Sequence, residues 1–491
     1  MAVTHNRRRT STPAKAVEES LVAEKYAHKL IRTLRIRLDD RPGTFADVSM
    51  AIGRRGGLLG DIRRVAIDSH SVVREVTLYV NSVGHLDEIL GDVAKLSGIT
   101  VERVTDDVLE LHRGGKLRLA AIPEIRTLQD LQMIYTPGVA GVCNHIVAHP
   151  EDFRRYTWVG NTVAIVTDGS AVLGLGNIGP RAALPVMEGK AVILNRFVGV
   201  GCVPILLDTQ DADAIVETVQ RIAPTFGIIM LEDIAAPKCF EIETRLASAL
   251  PIPVFHDDQH GTAVVVLAAI TNALSQANLE LGRLRVVILG SGAAGATTAR
   301  LLLAAGACDV TLCDRAGAIY AGRPEGMDDA KARIAAITNP QRRQGKPADV
   351  LRGAHVLIGL SSKGIVSAEM VGSMAPPRIV LALANPDPEI SLREAVAAGA
   401  GVALDGRTVN NALAFPGIIR GTLDSGARAI TETMKLAAAK AIAGQATEGL
   451  LLPSILDAAA HAAVAEAVAQ AWRSGEASTR DQPRRRSRVK E

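Results

Sequence analysis

Two acidic clusters carry the strongest chemical signal in the sequence. Glu232 and Asp233 follow the apolar run 227–230, and His256-Asp257-Asp258-Gln259-His260-Gly261 follows a second short run at 253–255. Both runs read as strands, and ligands of open α/β sheets collect at the carboxyl ends of strands. Glu232, Asp233 and Asp258 brought together would repel one another unless a cation neutralised them. An all-oxygen set selects a hard ion, Mg²⁺ or Mn²⁺, over Zn²⁺. Either pair alone reads equally well as helix capping or salt bridging; two pairs at two strand ends read less easily that way. His256 and His260 are expected as hydrogen-bond partners of acids rather than as ligands.

Lys190 lies in Pro185-Val186-Met187-Glu188-Gly189-Lys190-Ala191-Val192, on a helix too apolar to suit a surface lysine. Burial disfavours the charged ammonium, so a fall in its pKa toward the range of a general base is expected. The alternative is a lysine that snorkels to Glu188. Tyr135, read as standing at a strand-to-turn junction before Pro137-Gly138, has the chemistry of a proton donor; on its own it reads as a core tyrosine.

The pattern G-x-G-x-x-G occurs twice, and context separates the two copies. Gly174, Gly176 and Gly179 come six residues after a strand at 163–167, with Pro180 closing the loop and no acid about twenty residues on. Gly290, Ser291, Gly292, Ala293, Ala294 and Gly295 instead follow the strand 284–289 directly and open a helix at 296–305. The next strand, 309–313, ends at Asp314, the place of a ribose-binding acid, and Arg315 beside it suits the extra phosphate of NADP. The second loop is therefore read as the dinucleotide site, with NAD and NADP both open.

These residues need elements to hold them. The chain has 491 residues, 48% hydrophobic, 22% charged and only 3% aromatic, which suits helices packed on parallel sheets and about three domains. Its charge of +3 belongs to the ends, in Arg7–Arg9 and in Arg484, Arg485, Arg486 and Arg488. The body between is mildly acidic and offers no surface for nucleic acid. No apolar run approaches the roughly 18 residues of a membrane span. Five cysteines without metal-type spacing fit a reducing, cytoplasmic setting.

The expected order is a polar leader and short helix (1–29), a βαββαβ module (30–106), a unit bearing the acids and Lys190 (107–278), and a Rossmann-type unit (279–440). C-terminal helices (441–472) and a disordered basic tail (473–491) follow. In the module, strands are read at 30–38, 62–67, 72–80 and 99–104, with helices at 44–55, capped by Thr44, and at 85–96. That order gives a ferredoxin-like sheet with helices on one face. With Asp40-Arg41-Pro42-Gly43 as the first turn, it resembles the ACT domain, a family of regulatory modules that bind amino acids; the resemblance marks Asp40 and Gly43 as regulatory positions.

Over about residues 115–440 the chain resembles malic enzymes of the shorter bacterial type. YTPGVA (135–140), TDGSAVLGLGNIGP (167–180), EGK (188–190), LEDIA (231–235), FHDDQHGT (255–262), the dinucleotide loop, ANP (384–386) and NNALAFPG (410–417) occur in the family's order. The resemblance implies a malic-enzyme α/β catalytic domain joined to an NAD(P)-binding Rossmann domain. It implies oxidative decarboxylation of L-malate to pyruvate and CO₂, decarboxylation of oxaloacetate, and a homodimer or higher homo-oligomer. By the same resemblance Lys190 is the base, Asp257 orients it and Tyr135 returns the proton. Glu232, Asp233 and Asp258 hold the metal, and Asn385 and Asn411 bind substrate carboxylate. Larger members carry an arginine where this chain has Ala171, so Ser170 or the backbone around 174–179 is expected to hold the distal carboxylate. Two other classes remain in view: an amino-acid dehydrogenase, which needs no carboxylate-bound metal, and a non-catalytic amino-acid sensor on a degenerate enzyme core.

Overall fold

The computed structural model describes residues 29–447 and 449–480, and the chain divides into two compact units at Lys116/Leu117. The leader (1–28) and the tail from 481 lie outside the described residues.

The first unit holds β1 (Leu30–Asp39), β2 (Leu58–Ile67), β3 (Ser71–Val80) and β4 (Ile99–Asp106) in the antiparallel order β2-β3-β1-β4. Leu34, Ile36 and Leu38 alternate inward on β1. They pack with Val76, Leu78 and Val80 of β3 against Val48 and Ile52 of helix Thr44–Arg54 and Ile89 and Val93 of helix Val83–Val93. The opposite face is charged: Arg35 pairs with Glu75 and Glu102, Arg37 with Glu102, and Arg63 with Glu75. This is the expected ferredoxin-like order, with β2 starting four residues early. Thr44 does not cap the first helix. Gly43, at φ 93°, precedes it in the left-handed region, and the Thr44 hydroxyl donates back to the Arg41 carbonyl at 3.1 Å.

The second unit contains two sheets, one parallel and one parallel but for an antiparallel edge strand. β5 (Thr162–Thr167), β6 (Gly201–Leu206), β7 (Ile228–Leu231) and β8 (Val254–His256) form a sheet in the order β6-β5-β7-β8. Every residue of β5, β7 and β8 is buried, as near-continuous apolar strands covered on both faces should be. The other sheet runs β11-β10-β9-β12-β13-β14, from β9 (Arg285–Leu289), β10 (Asp309–Asp314), β11 (Gly317–Ala318), β12 (Val356–Gly359), β13 (Ile379–Ala382) and β14 (Val402–Asp405). Its order reverses between β9 and β12, which opens the crevice where doubly wound sheets bind dinucleotides.

Helix Asp257–Ala277 leaves β8 and packs against helices Ala293–Ala304 and Glu432–Gly444. It is buried nearly all round, so one core runs from β5 and β7 into the second sheet. The last helix, Ala458–Arg480, continues through residues 473–480, where a disordered tail is expected from sequence. Its alanine-rich turns pack through Val464 and Val468 on the close approaches at Gly417 and Gly421.

Candidate active site

β7 and β8 are neighbours in the sheet, with Leu231 paired to His256, so the acids that follow each strand emerge side by side. Asp233 adopts φ 55°, a left-handed conformation that aspartate tolerates better than most residues. Its backbone N–H donates to Asp258 Oδ2 at 2.8 Å. One oxygen each from Glu232, Asp233 and Asp258 lies within 4.8 Å of the others. A hard divalent ion with bonds of about 2.0–2.6 Å draws its oxygens to about that separation. Glu232 Oε2 is buried with no hydrogen-bond partner, a costly state that a cation relieves. The donor set therefore fits Mg²⁺ or Mn²⁺. Neither histidine joins it: His256 Nδ1 is 3.8 Å from Asp258 Oδ2, and His260 turns away to Glu243.

Lys190 rises into this cluster from helix Pro180–Val198. Its ammonium pairs with Asp257 and, at 3.0 Å, with Glu232; it is not held by Glu188. Asp257 is wholly buried and also accepts from Asn411 Nδ2 at 2.8 Å. Burial lifts the Asp257 carboxyl to about 6, with Lys190 pulling the other way. Glu232 is raised well above the ordinary range, by burial first and by Asp258 next. The expected fall in the Lys190 pKa is not what these surroundings produce. Burial does lower it, but Asp257, Glu232 and Asp258 together outweigh that and raise it. A dication on those carboxylates cancels the charge that holds the proton on Lys190.

The other predicted residues divide. Asn411 and Asp257 join the end of β8 to the loop after β14. A Cβ on Gly174 would lie 2.4 Å from the Asn385 carbonyl. The first glycine loop thus packs on the Asn385–Pro386 turn after β13. Ser170 is near but committed: its hydroxyl donates to Asp168 Oδ1 at 2.6 Å and accepts from Ala235 N–H at 2.9 Å. Asp168, which the sequence reading passed over, is wholly buried and paired with Lys238. Tyr135 is neither at a strand end nor in a core. It terminates the short helix Leu128–Ile134 and is 68% exposed, with no hydrogen bond to Lys190 among the described residues.

At the second sheet the dinucleotide loop has its expected shape. Gly290 (φ 119°) passes 2.2 Å, as a hypothetical Cβ, from the Leu360 carbonyl, and a Cβ on Gly295 would meet the Gly290 carbonyl at 2.0 Å. Nothing lies within 4 Å of a Cβ on Gly292, leaving free the approach to the N-terminus of helix Ala293–Ala304. Asp314 is at the end of β10, but Arg323 grips both its oxygens (2.8 and 2.5 Å) and Lys331 approaches to 2.8 Å. Although burial raises this carboxyl, these cations overcome it and hold it below the usual range. Arg315 beside it is exposed.

Comparison with known proteins decides the family. Residues 116–247 match "Malic enzyme, N-terminal domain" and residues 394–472 match "Malic enzyme, NAD binding domain". An NAD-dependent malic enzyme of Geobacillus stearothermophilus is 44% identical over 90% of this chain and 95% of its own length. The chain belongs to the malic enzyme family. A bifunctional malic/malolactic enzyme of Bacillus subtilis is 50% identical over 74% of the chain and 92% of its own length. The crystal structure of an NAD-dependent malic enzyme from Thermotoga maritima is 43% identical, covers 74% of this chain and 99% of its own, and superposes with a TM-score of 0.72. NAD-dependent and NADP-dependent malic enzymes are both among the relatives. Residues 255–354 also match "Glutamate/Leucine/Phenylalanine/Valine dehydrogenase", the segment shared with the amino-acid dehydrogenase alternative. That segment excludes Glu232, Asp233 and Lys190, which lie in the part matched by "Malic enzyme, N-terminal domain".

Proposed function

We propose that the protein oxidatively decarboxylates L-malate to pyruvate and CO₂, reducing NAD⁺ or NADP⁺, with Mg²⁺ or Mn²⁺ held by Glu232, Asp233 and Asp258. The observation carrying this reading is the buried Lys190 ammonium set between Asp257 and Glu232, beside the acid cluster. Lys190 takes the proton of the 2-hydroxyl as hydride leaves C2 for the nicotinamide. The metal, when bound, supplies Lewis-acid polarisation of the substrate's oxygens. CO₂ then departs and a proton returns to C3, so the proton taken from oxygen equals the proton given to carbon. Tyr135 is the donor in this scheme, Asp257 orients Lys190, and Asn385 and Asn411 bind substrate carboxylate. Decarboxylation of added oxaloacetate uses the same groups without hydride transfer. Both dinucleotides are accommodated, because Arg323 and Lys331 already neutralise Asp314 and Arg315 is free to meet a 2′-phosphate.

Tyr135 needs a covered environment to act as a donor. Helices Leu128–Ile134 and Val139–Ala148 expose Leu128, Met133, Val142 and Val147, and a second copy of this chain is the partner we propose for that face. For the N-terminal module we propose amino-acid binding around Asp40 and Gly43. No helix among the described residues is long and apolar enough to cross a membrane; with five free cysteines, we place the protein in the cytoplasm. The deciding experiment is purified protein with L-malate, Mn²⁺ and each dinucleotide, with pyruvate and reduced cofactor both measured. Absence of pyruvate with either cofactor refutes the activity. Light scattering tests the dimer, and titration calorimetry with amino acids tests the effector.

A further inference from the structure

A second polar cluster lies behind the acids and takes no part in the chemistry above. Its hub is Glu243, on helix Lys238–Ala249. Oε1 accepts from the His256 backbone N–H (3.0 Å) and from His260 Nε2 (2.8 Å), and Oε2 accepts from Gln259 Nε2 (3.0 Å). Lys435, on helix Glu432–Gly444, donates to His260 Nδ1 at 2.9 Å, which leaves Nε2 carrying the ring proton toward Glu243. On the far side, Gln259 Oε1 accepts from the Thr297 hydroxyl at 3.3 Å. Thr297 belongs to the helix whose N-terminus faces the dinucleotide. Four helices therefore meet through one carboxylate, beside a cavity of about 220 Å³ lined by Glu243, Gln259, His260, Thr297 and Lys435.

The placement has a purpose that stability alone does not require. Residues 256, 259 and 260 are the three that Glu243 holds, and they bracket Asp257 and Asp258. Fixing both flanks of that dipeptide fixes where its carboxylates point. Burial opposes ionisation of Glu243, but His260, His256 and Lys435 outweigh it and keep the carboxyl at about 2.

We propose that Glu243 is a positioning residue that, through Gln259 and Thr297, couples the metal carboxylates to the dinucleotide helix. The inference rests on the functional reading above, since it presumes that both ligands bind. Outer partners that orient metal ligands are worth about 10–100-fold in affinity, and coupling between two sites is typically about 5–150-fold and reciprocal.

The test is calorimetric and needs no turnover: Mn²⁺ affinity of the full chain with and without saturating dinucleotide. The unsubstituted protein should bind Mn²⁺ at least about fivefold more tightly with dinucleotide present. Glu243→Ala should lose about 10–100-fold in Mn²⁺ affinity. Glu243→Gln, whose amide can be accommodated by a flip of Gln259, should recover most of it. Thr297→Val should keep Mn²⁺ affinity in the absence of dinucleotide but lose the dinucleotide-dependent gain. If Glu243→Ala does not fold, Thr297→Val decides the matter alone. Folded Glu243→Ala with unchanged Mn²⁺ affinity, or Thr297→Val with the full gain, overturns the proposal. Failure of the unsubstituted protein to bind Mn²⁺ or dinucleotide would instead sink the functional reading.

Discussion

Replacing Lys190 with methionine, a side chain of similar length without charge, separates two roles that the structure gives this residue. Its ammonium is the counter-ion of two buried acids, Asp257 and Glu232. Removing one member of a buried ion pair typically costs about 3–5 kcal/mol, because the remaining charge is stranded. The loss should be at the low end here, since Asp257 and Glu232 are raised acids that can take up protons instead. Mn²⁺ restores positive charge to the same carboxylates, so it should stabilise Lys190→Met at least as much as the unsubstituted protein. Turnover should not return with it. Loss of a positioned general base lowers rates by about 10²–10⁴, and a cation cannot accept the hydroxyl proton. The assays are thermal unfolding with and without Mn²⁺, and initial rates of malate-dependent dinucleotide reduction. If Lys190→Met keeps more than about a tenth of the rate, Lys190 is not the base. If Mn²⁺ fails to stabilise the variant, the acids are not its ligands.

Three further outcomes follow from the geometry. Asp257 has its folded pKa raised above the unfolded value, to about 6, so its charge opposes folding above pH 6 and that penalty fades as pH falls toward 4. Metal-free protein should therefore melt at a higher temperature at pH 5.5 than Asp257→Asn at the same pH would suggest from their difference at pH 7.5; equal differences at both pH values refute this. Gly295→Ala should abolish dinucleotide binding through the 2.0 Å clash with the Gly290 carbonyl, whereas Gly174→Ala, pressing on Asn385, should raise the KM for malate and leave dinucleotide affinity intact. The reverse pattern would return the first glycine loop to the cofactor. Glu389, buried and accepting from Ser361 N–H (2.8 Å) and Ala384 N–H (3.1 Å), ties together the loops after β12 and β13. Glu389→Ala should cost about 1.5–3 kcal/mol per lost bond and raise the dinucleotide KM, with Glu389→Gln intermediate; an unchanged KM in a folded Glu389→Ala counts against that role.

What was legible in the sequence was the chemistry placed at strand ends. An apolar run followed by acids, or by a glycine loop and a helix, announces its position because backbone periodicity is local. Contacts across the fold announced nothing. Lys435 is 175 residues from His260, and Arg323 reaches back to Asp314 around the β10–β11 hairpin. One signal was available: Lys435, like Lys190, is a lysine within an apolar helix, and the argument that singled out the first applies to the second. The pKa of Lys190 went astray for the same reason, since burial can be guessed from neighbours in sequence and the facing carboxylates cannot. Tyr135 illustrates the converse, a motif residue that the chain's own packing leaves 68% exposed.

The charged face of the N-terminal sheet has a consequence for how such a protein can be assembled. Arg35, Arg37, Arg63, Glu75 and Glu102 satisfy one another within the module, while Leu34, Ile36, Leu38, Val76, Leu78 and Val80 pack on its own two helices. Exposed pairs of this kind add little stability, but burying them against an oily surface would carry a heavy desolvation cost.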